Sequence, residues 1–301
     1  MPLLAAEAAK LSENDRQKGI IEEMIVQDDL FAILPFVKTE GLAYLYTREK
    51  TNAQGAWFDA YEDLEESTSE FENVSTALKR IGGQVDIDNF IIQTKSDVYS
   101  QAAEQLAAKA KGMGLQFRSE LVNGDVAVNA KGFDGLRKLT VAGQTLTAGA
   151  NGAALSFGML DELVDAVKKK DGKVLMMRQE VWRQIRALNR AMGGNVAETV
   201  MVNNFGMPMK MYDGIPVLIN DFIPVTETQG SSSTTTSIYC LRANETDGVH
   251  GLYGGAGSVG FNLAKLGLLE KKDVTRFRVI WYAGMALKAT HSLARLKGVA
   301  V

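Results

Sequence analysis

The stretch SDVYSQAAEQLAAKAKGMGLQFRSEL, Ser96 to Leu121, decides the fold class. Val98, Ala102, Leu106, Ala110, Met113, Phe117 and Leu121 recur three or four apart, which sets them on one face of a helix. Ser96 is a suitable N-cap, and Asp97 puts a negative charge in the first turn. Gly112 and Gly114 each cost about 1 kcal/mol relative to alanine, so packing must hold the helix straight. Asn123-Gly124-Asp125 ends it.

Upstream of the helix the period changes to two. Val85 and Ile87 alternate with Gln84, Asp86 and Asp88 in a stretch, 74–92, that reads as strand, with Gly82-Gly83 marking a bulge or bend. Before it, Leu42 to Tyr46 and the aromatics Trp57, Phe58 and Tyr61 flank turn residues at Asn52 to Gly55, which predicts a β-hairpin. A lone two-stranded hairpin is marginal in water, so this one needs a surface to lie on. Asp59, Glu62, Asp63, Glu65, Glu66, Glu70 and Glu72 follow with no Lys or Arg among them. Such a run is either a solvated loop or one that reaches a basic surface on a neighbouring subunit. Its aromatic base at Trp57 and Phe58 favours the second reading. The first residues, 3–26, read as an amphipathic helical arm.

Downstream, a Gly/Ala/Thr loop at 142–154 leads to a helix from Ser156 to Lys169 with Phe157, Leu160, Leu163, Val164 and Val167 inward. A strand at Val174 to Met177, a helix at Gln179 to Met192 carrying Val181, Trp182, Ile185 and Leu188, and a strand at Ile215 to Ile219 follow. Gly230 to Ser237 reads as a mobile Ser/Thr loop, and Phe277 to Leu287 as a long strand with Phe277, Val279 and Trp281 on one face. Residues 289–301 are apolar-rich and should be tied down. Helices packed beside a sheet in this order make an α+β fold.

Chemistry is sparse. The 301 residues carry a formal net charge of −3, which argues against a broad basic face that grips nucleic acid. Cys240 is the single cysteine, so no intrachain disulfide forms, and its Ile-Tyr-Cys-Leu context reads as a small core residue. His250 and His291 have no ligand-spaced partners, and no metal site, catalytic group or cofactor site is expected. Gly255-Ala256-Gly257-Ser258-Val259-Gly260 fits a dinucleotide fingerprint, but its lead-in is glycine-broken and no second half follows, so a tight glycine loop explains it better. The N-terminus lacks a basic signal-peptide region, and no run approaches the ~20 apolar residues of a membrane helix.

The order of elements resembles the major capsid proteins of tailed bacteriophages, whose fold is named after phage Hong Kong ninety-seven. Gly132-Phe133-Asp134-Gly135-Leu136 is similar to that family's Phe-x-Gly-Leu turn after the spine helix. Leu160 to Val164 with Gly172 to Met176 resembles the opening of its axial domain. Asp213-Gly214-Ile215-Pro216-Val217 and Asn220-Asp221-Phe222-Ile223-Pro224 resemble its Gly-x-Pro-Val strand and the turn after it, and Arg278 to Val301 a returning peripheral strand.

The resemblance implies an N-terminal arm (1–38), an extended hairpin loop (39–72), a peripheral domain with a long spine helix (73–140 and 265–301), and an axial domain with a central β-sheet (141–264). It implies a structural protein, not an enzyme, that self-assembles into hexamers and pentamers of an icosahedral shell around double-stranded DNA. The expected contact residues between subunits are Trp57, Phe58, Tyr61, Glu62, Glu65 and Glu66 on the hairpin, with Lys79, Arg80 and Arg118 as basic counterparts. Lys50 near the hairpin tip has no matched asparagine or glutamate, so no covalent crosslink is expected. Expected partners are a separate scaffolding protein, a portal and weakly held DNA, with a cement protein left open. The expected location is the virion capsid, assembled in the host cytoplasm. An encapsulin-like compartment and a nucleotide-dependent enzyme using the Gly255 to Gly260 loop are the alternatives.

Overall fold

The computed structural model describes residues 29–51, 53–63, 66–90, 98–168, 171–193, 199–201, 208–255, 260–269 and 272–301. Residues 1–28 of the expected arm and Glu65 fall outside the described residues.

In chain order the elements are α1 (Asp29–Ile33), β1 (Phe36–Lys38), β2 (Ala43–Thr51), β3 (Glu70–Ala77), β4 (Lys79–Asp88) and the long helix α2 (Val98–Asn123). Then come α3 (Leu136–Leu139), β5 (Thr145–Thr147), α4 (Phe157–Ala166), β6 (Lys173–Met177), α5 (Gln179–Ala191), β7 (Thr199–Met201), β8 (Pro208–Tyr212) and β9 (Ile215–Ile219). The remainder is strand: β10 (Glu227–Gln229), β11 (Ser232–Arg242), β12 (Val249–Gly254), β13 (Phe261–Leu269), β14 (Lys272–Leu287) and β15 (Leu293–Ala300).

Three sheets form among the described residues. The first is organised on β14. Along one edge β12 and then β13 lie end to end, with Gly254 opposite Tyr282 and Phe261 opposite Trp281. Along the other edge runs β4, from Val274 opposite Asp88 to Ala283 opposite Lys79. Gly82 and Gly83 sit in regular register opposite Ile280 and Val279, so the expected bulge is absent. Phe277, Val279, Trp281, Ala283, Met285 and Leu287 all turn inward, as a period of two requires.

Leu106, Ala110, Met113, Phe117 and Leu121 bring α2 onto the same core, where the Phe117 and Trp281 rings lie 4.8 Å apart. The Phe-x-Gly-Leu turn closes the end of α2. Phe133 and Leu136 are buried, and Gly135 donates its N–H to Gly124 O at 2.8 Å. A side chain at Gly135 would meet Glu120 O at 2.5 Å and Gly124 N at 2.7 Å, so only glycine allows this approach.

The second sheet has eight strands in the order β5-β15-β11-β6-β9-β8-β7, with β10 added to β11. Its strands β6 and β11 are buried on both faces. Val174 and Met176 of β6 and Tyr239 and Leu241 of β11 face the core shared with Trp281. Leu175, Met177, Ile238 and Cys240 face a second core with Leu160 and Leu163 of α4 and Val181, Trp182 and Ile185 of α5. Asp213 and Gly214 both have positive φ (47° and 73°), the backbone of a tight two-residue hairpin turn between β8 and β9.

Three expectations change. The Ser/Thr tract, read as a mobile loop, is largely strand: Thr235, Thr236 and Ser237 are buried in β11, between β15 and β10. Two of the three hydroxyls are satisfied inside, as Thr235 Oγ1 donates to Glu227 O at 2.7 Å and Arg295 Nε donates to Ser237 Oγ at 2.9 Å, whereas Thr236 Oγ1 is buried without a hydrogen-bond partner. β-Branched threonines suit such a strand once polar partners exist.

Sheet membership also differs from the expected 264/265 division. β12 and part of β13 continue along β14 in the first sheet, whereas β15 inserts between β5 and β11 in the second. Long-range pairing sets this, and a local pattern does not show it.

The third change concerns the hairpin. β2 pairs with β3, from Ala43 opposite Ala77 to Thr51 opposite Glu70, and not with the Trp57 to Tyr61 segment. Val74 and Thr76 alternate on the face of Tyr46 and Tyr44, whereas adjacent Trp57 and Phe58 would point to opposite faces of a strand.

Candidate intersubunit surfaces

The hairpin has two unlike faces. Tyr44, Tyr46 and Arg48 turn toward the body. Tyr46 Oη donates to Leu287 O at 2.7 Å, Arg48 Nε to Lys288 O at 2.8 Å, and Arg48 Nη2 to Leu287 O at 2.8 Å. The Tyr44 ring meets the buried His250 ring edge-on at 5.6 Å. These side-chain contacts at the end of β14 fasten the base. The opposite face carries Leu45, Thr47, Glu49, Phe71 and Asn73 in register, and Leu45 and Phe71 are exposed.

Beyond Thr51 the chain forms a long loop. Ser69 Oγ and Ser67 Oγ accept the N–H groups of Ala53 and Gln54, both at 2.9 Å, so side chains extend the ladder where backbone pairing stops. Glu62 Oε2 accepts the Asp59 N–H at 2.8 Å, closing a turn that holds Tyr61 at a φ of 74°. Trp57 and Tyr61 are fully exposed and Phe58 is largely so. Glu62 and Glu66 are exposed as well, and Glu70 pairs with Lys50 at 3.3 Å.

The basic candidates sit on the body. Lys79 begins β4 and its Nζ donates to Ala130 O at 2.7 Å. Arg80 follows on the exposed face of that strand. Arg118 lies on α2 and donates to Ile219 O, while Asn123 Nδ2 donates to Phe222 O at 2.7 Å, so the end of the helix is tied to the turn after β9. Arg178 Nη1 holds the same turn through Asp221 O at 2.8 Å and Ile223 O at 2.9 Å. Lys79 and Arg118 therefore hold their own chain together at these atoms. Leu42, Leu45 and Phe71 were missed as exposed apolar residues because only the true register reveals their face.

Ala256 to Val259 of the glycine motif lie outside the described residues; β12 ends before the motif at Gly254 and β13 begins at Phe261, directly after Gly260, so a strand and not a helix follows it. That is the wrong context for a dinucleotide fingerprint, which needs a helix N-terminus at the pyrophosphate. Burial pushes the Cys240 thiol up to about 12, so it stays protonated. Among the described residues no group of three or more His, Cys, Asp or Glu could hold a metal ion. No described helix is long and apolar enough to cross a membrane.

Residues 9–240 match the model of the phage capsid family. The chain belongs to that family. No curated protein matches it by sequence. Solved structures of capsid and encapsulin shells share its fold, the Hong Kong ninety-seven type. The SrpI encapsulin of Synechococcus elongatus PCC 7942 superposes with a TM-score of 0.71 at 23% identity, over 90% of this chain and 87% of that one. The capsid of an empty GTA particle gives 0.67 at 17% identity, over 90% of each chain. Mycobacterium phage Adephagia gives 0.62 at 11% identity, over 89% of each chain. The hairpin and its loop expose Leu42, Leu45, Trp57, Phe58, Tyr61 and Phe71.

Proposed function

We propose that the chain is the major capsid protein of a tailed phage, assembling into hexamers and pentamers of an icosahedral shell that encloses double-stranded DNA. The observation that carries this reading is the hairpin, whose Leu45, Trp57, Phe58, Tyr61 and Phe71 have little cover in their own chain. A neighbouring subunit that covered them would gain about 25 cal/mol per Å² of apolar area removed from water. Contact of this head-to-tail kind closes into rings. The surface charges of Glu62 and Glu66 add only ~0.2–1 kcal/mol per ion pair, so the aromatics dominate.

Sheet membership supports a revised division: the second sheet with α4 and α5 as the axial domain, and the first sheet with α2 as the peripheral domain. On this reading the chain's first partners are its own copies, followed by a scaffolding protein, a portal and packaged DNA. It resides in the virion capsid after assembly in the host cytoplasm. Electron microscopy of the concentrated protein tests the reading. Rings or closed shells that are lost in a Trp57→Ala/Tyr61→Ala variant with an unchanged circular dichroism spectrum are expected. Sedimentation at the mass of one chain at every concentration would overturn it.

The likeness to the SrpI encapsulin favours a second reading, an encapsulin-like compartment. Nuclease-protected DNA inside purified particles supports the capsid; a co-purifying protein cargo inside DNA-free particles supports the compartment.

A further inference from the structure

His250 lies on β12 opposite Ala286, with no exposed surface, directly beneath the hairpin base. Its Nδ1 lies 3.3 Å from Gly248 O, a contact that only an N–H at Nδ1 can make as donor. The other nitrogen, Nε2, is buried with no hydrogen-bond partner. The ring packs edge-on against Tyr44 of β2, and Lys288 Nζ lies 5.7 Å from the centre of that tyrosine ring. Histidine, tyrosine and ammonium thus form one stack joining the body to the hairpin.

We propose that His250 is an acid-operated latch: taking a proton at Nε2 expels Tyr44 and lifts the β2–β3 base from the Leu287–Lys288 segment. A proton there creates a buried N–H with no acceptor and a second cation near Lys288. Glu245 and the carbonyls of Gly248 and Asn244, on the loop before β12, favour the proton. Lys288, after β14, opposes it; β2 presents the Tyr44 ring, and β14 presents Ala286. Burial is the largest influence and holds the imidazole below its ordinary value of 6.5. Relief comes most readily from the hairpin side. β12 is locked between β14 and β1 by backbone ladders, whereas the contacts described above fasten the hairpin base chiefly through side chains.

The sign follows from linkage. The closed form has the lower proton affinity, so closure is fully favoured above the ordinary value of 6.5 and weakens as pH falls toward the closed-form value. The opening equilibrium gains at most about tenfold per pH unit. The latch concerns one chain, and only its consequence for subunit contact rests on the proposed shell.

Hydrogen–deuterium exchange by mass spectrometry on the intact protein reads both partners at once. Backbone amides of β2 and β3 report the hairpin, and the slow exchange of the imidazole C2–H reports the titration of His250, with His291 as internal reference. Between about pH 7.5 and about pH 5, corrected for intrinsic rates, hairpin amides in the wild type should exchange about tenfold faster, with the midpoint of His250. In His250→Phe, which keeps a flat ring and cannot titrate, the rise should vanish. An equal rise in His250→Phe overturns the latch. So does a wild-type hairpin that stays protected while His250 titrates, or a His250 that does not titrate above about pH 5, and these two need no variant. Failure here leaves the shell reading untouched, because shells are scored by microscopy.

Discussion

The second sheet and the β2–β3 hairpin are both built of paired strands, yet they dispose of their two faces in opposite ways. In the sheet, both faces of β6 and β11 meet packed cores, so apolar residues run consecutively and nothing is left for a partner. In the hairpin, one face touches the body through Tyr44, Tyr46 and Arg48, and the other presents Leu45 and Phe71 to solvent. The sheet is stable because its area is already buried. The hairpin is useful because its area is not.

The largest expected effect separates Trp281 from Trp57. Trp281 is 1% exposed within the aromatic cluster of Phe31, Phe36, Phe117 and Phe261, so Trp281→Ala should destabilise the subunit by about 3–5 kcal/mol. Trp57 is fully exposed, and Trp57→Ala should change the stability read by urea unfolding by no more than about 0.5 kcal/mol while impairing particle formation. Equal destabilisation by both would mean that the loop packs on its own subunit in solution, and the contrast would collapse.

Ion pairs divide in the same way. Arg295 and Glu227 meet at 2.9 Å with side chains only 12% and 5% exposed, and Glu227 also accepts from Ser237. Glu227→Gln leaves the guanidinium buried without its charge partner and should cost about 3 kcal/mol in chemical denaturation. Lys50 and Glu70 lie 3.3 Å apart at 67% and 63% exposure, so Lys50→Ala should change stability by about 0.5 kcal/mol or less. A large loss at Lys50 would show that the distal hairpin is a stability element after all.

How much of this was legible beforehand depends on the range of the interaction. The inward face of α2 and the alternation of β14 were readable because both periods are local and unbroken. The Phe-x-Gly-Leu turn was visible as a motif, but the reason for Gly135, the carbonyl of Glu120 pressed against it, is a tertiary fact. Val74 and Thr76 were legible as strand, but their pairing with Tyr46 and Tyr44, in place of a hairpin closed by the Trp57 to Tyr61 segment, spans a loop of 18 residues, 52–69, that no local pattern encodes. The strand through Thr235 to Ser237 looked like a loop because its polar partners, Glu227 and Arg295, arrive from elsewhere in the chain. The aromatic half of the candidate surface was readable by composition; its apolar half, Leu45 and Phe71, needed the register.

A milder change probes how the hairpin is held. Tyr46→Phe removes the 2.7 Å bond to Leu287 O and the 3.4 Å bond that Tyr46 Oη accepts from Arg48 Nη2, and should weaken the base by about 0.5–1.5 kcal/mol. The loss should appear as faster amide exchange in β2 and β3 with the urea midpoint of the body unchanged. If the midpoint moved with it, hairpin and sheet would be one cooperative unit rather than two.

The smallest effect lies on the first sheet and sharpens the contrast by its position on the pH axis. Arg276 clasps Asp86 across β14 and β4, Nε to Oδ1 and Nη2 to Oδ2 both at 2.7 Å. That hydrogen bonding, assisted by the charges of Arg276 and Lys272, holds the Asp86 carboxyl below its ordinary value of 3.8 against the opposing effect of desolvation. A carboxylate lowered on folding stabilises the native state above its unfolded value, and the gain is lost as pH falls through the folded one. The β4–β14 pair should therefore respond to acid only below the ordinary value of 3.8, and the pair's solvent exposure keeps the response small. Asp86→Asn should flatten this part of a stability-against-pH curve and leave the hairpin's exchange near neutrality unchanged. Two acid responses in separate windows, the hairpin's first and the sheet's later, follow from burial beneath Tyr44 in one case and an exposed guanidinium clasp in the other. A single merged transition would show that the base of the hairpin and the first sheet open together.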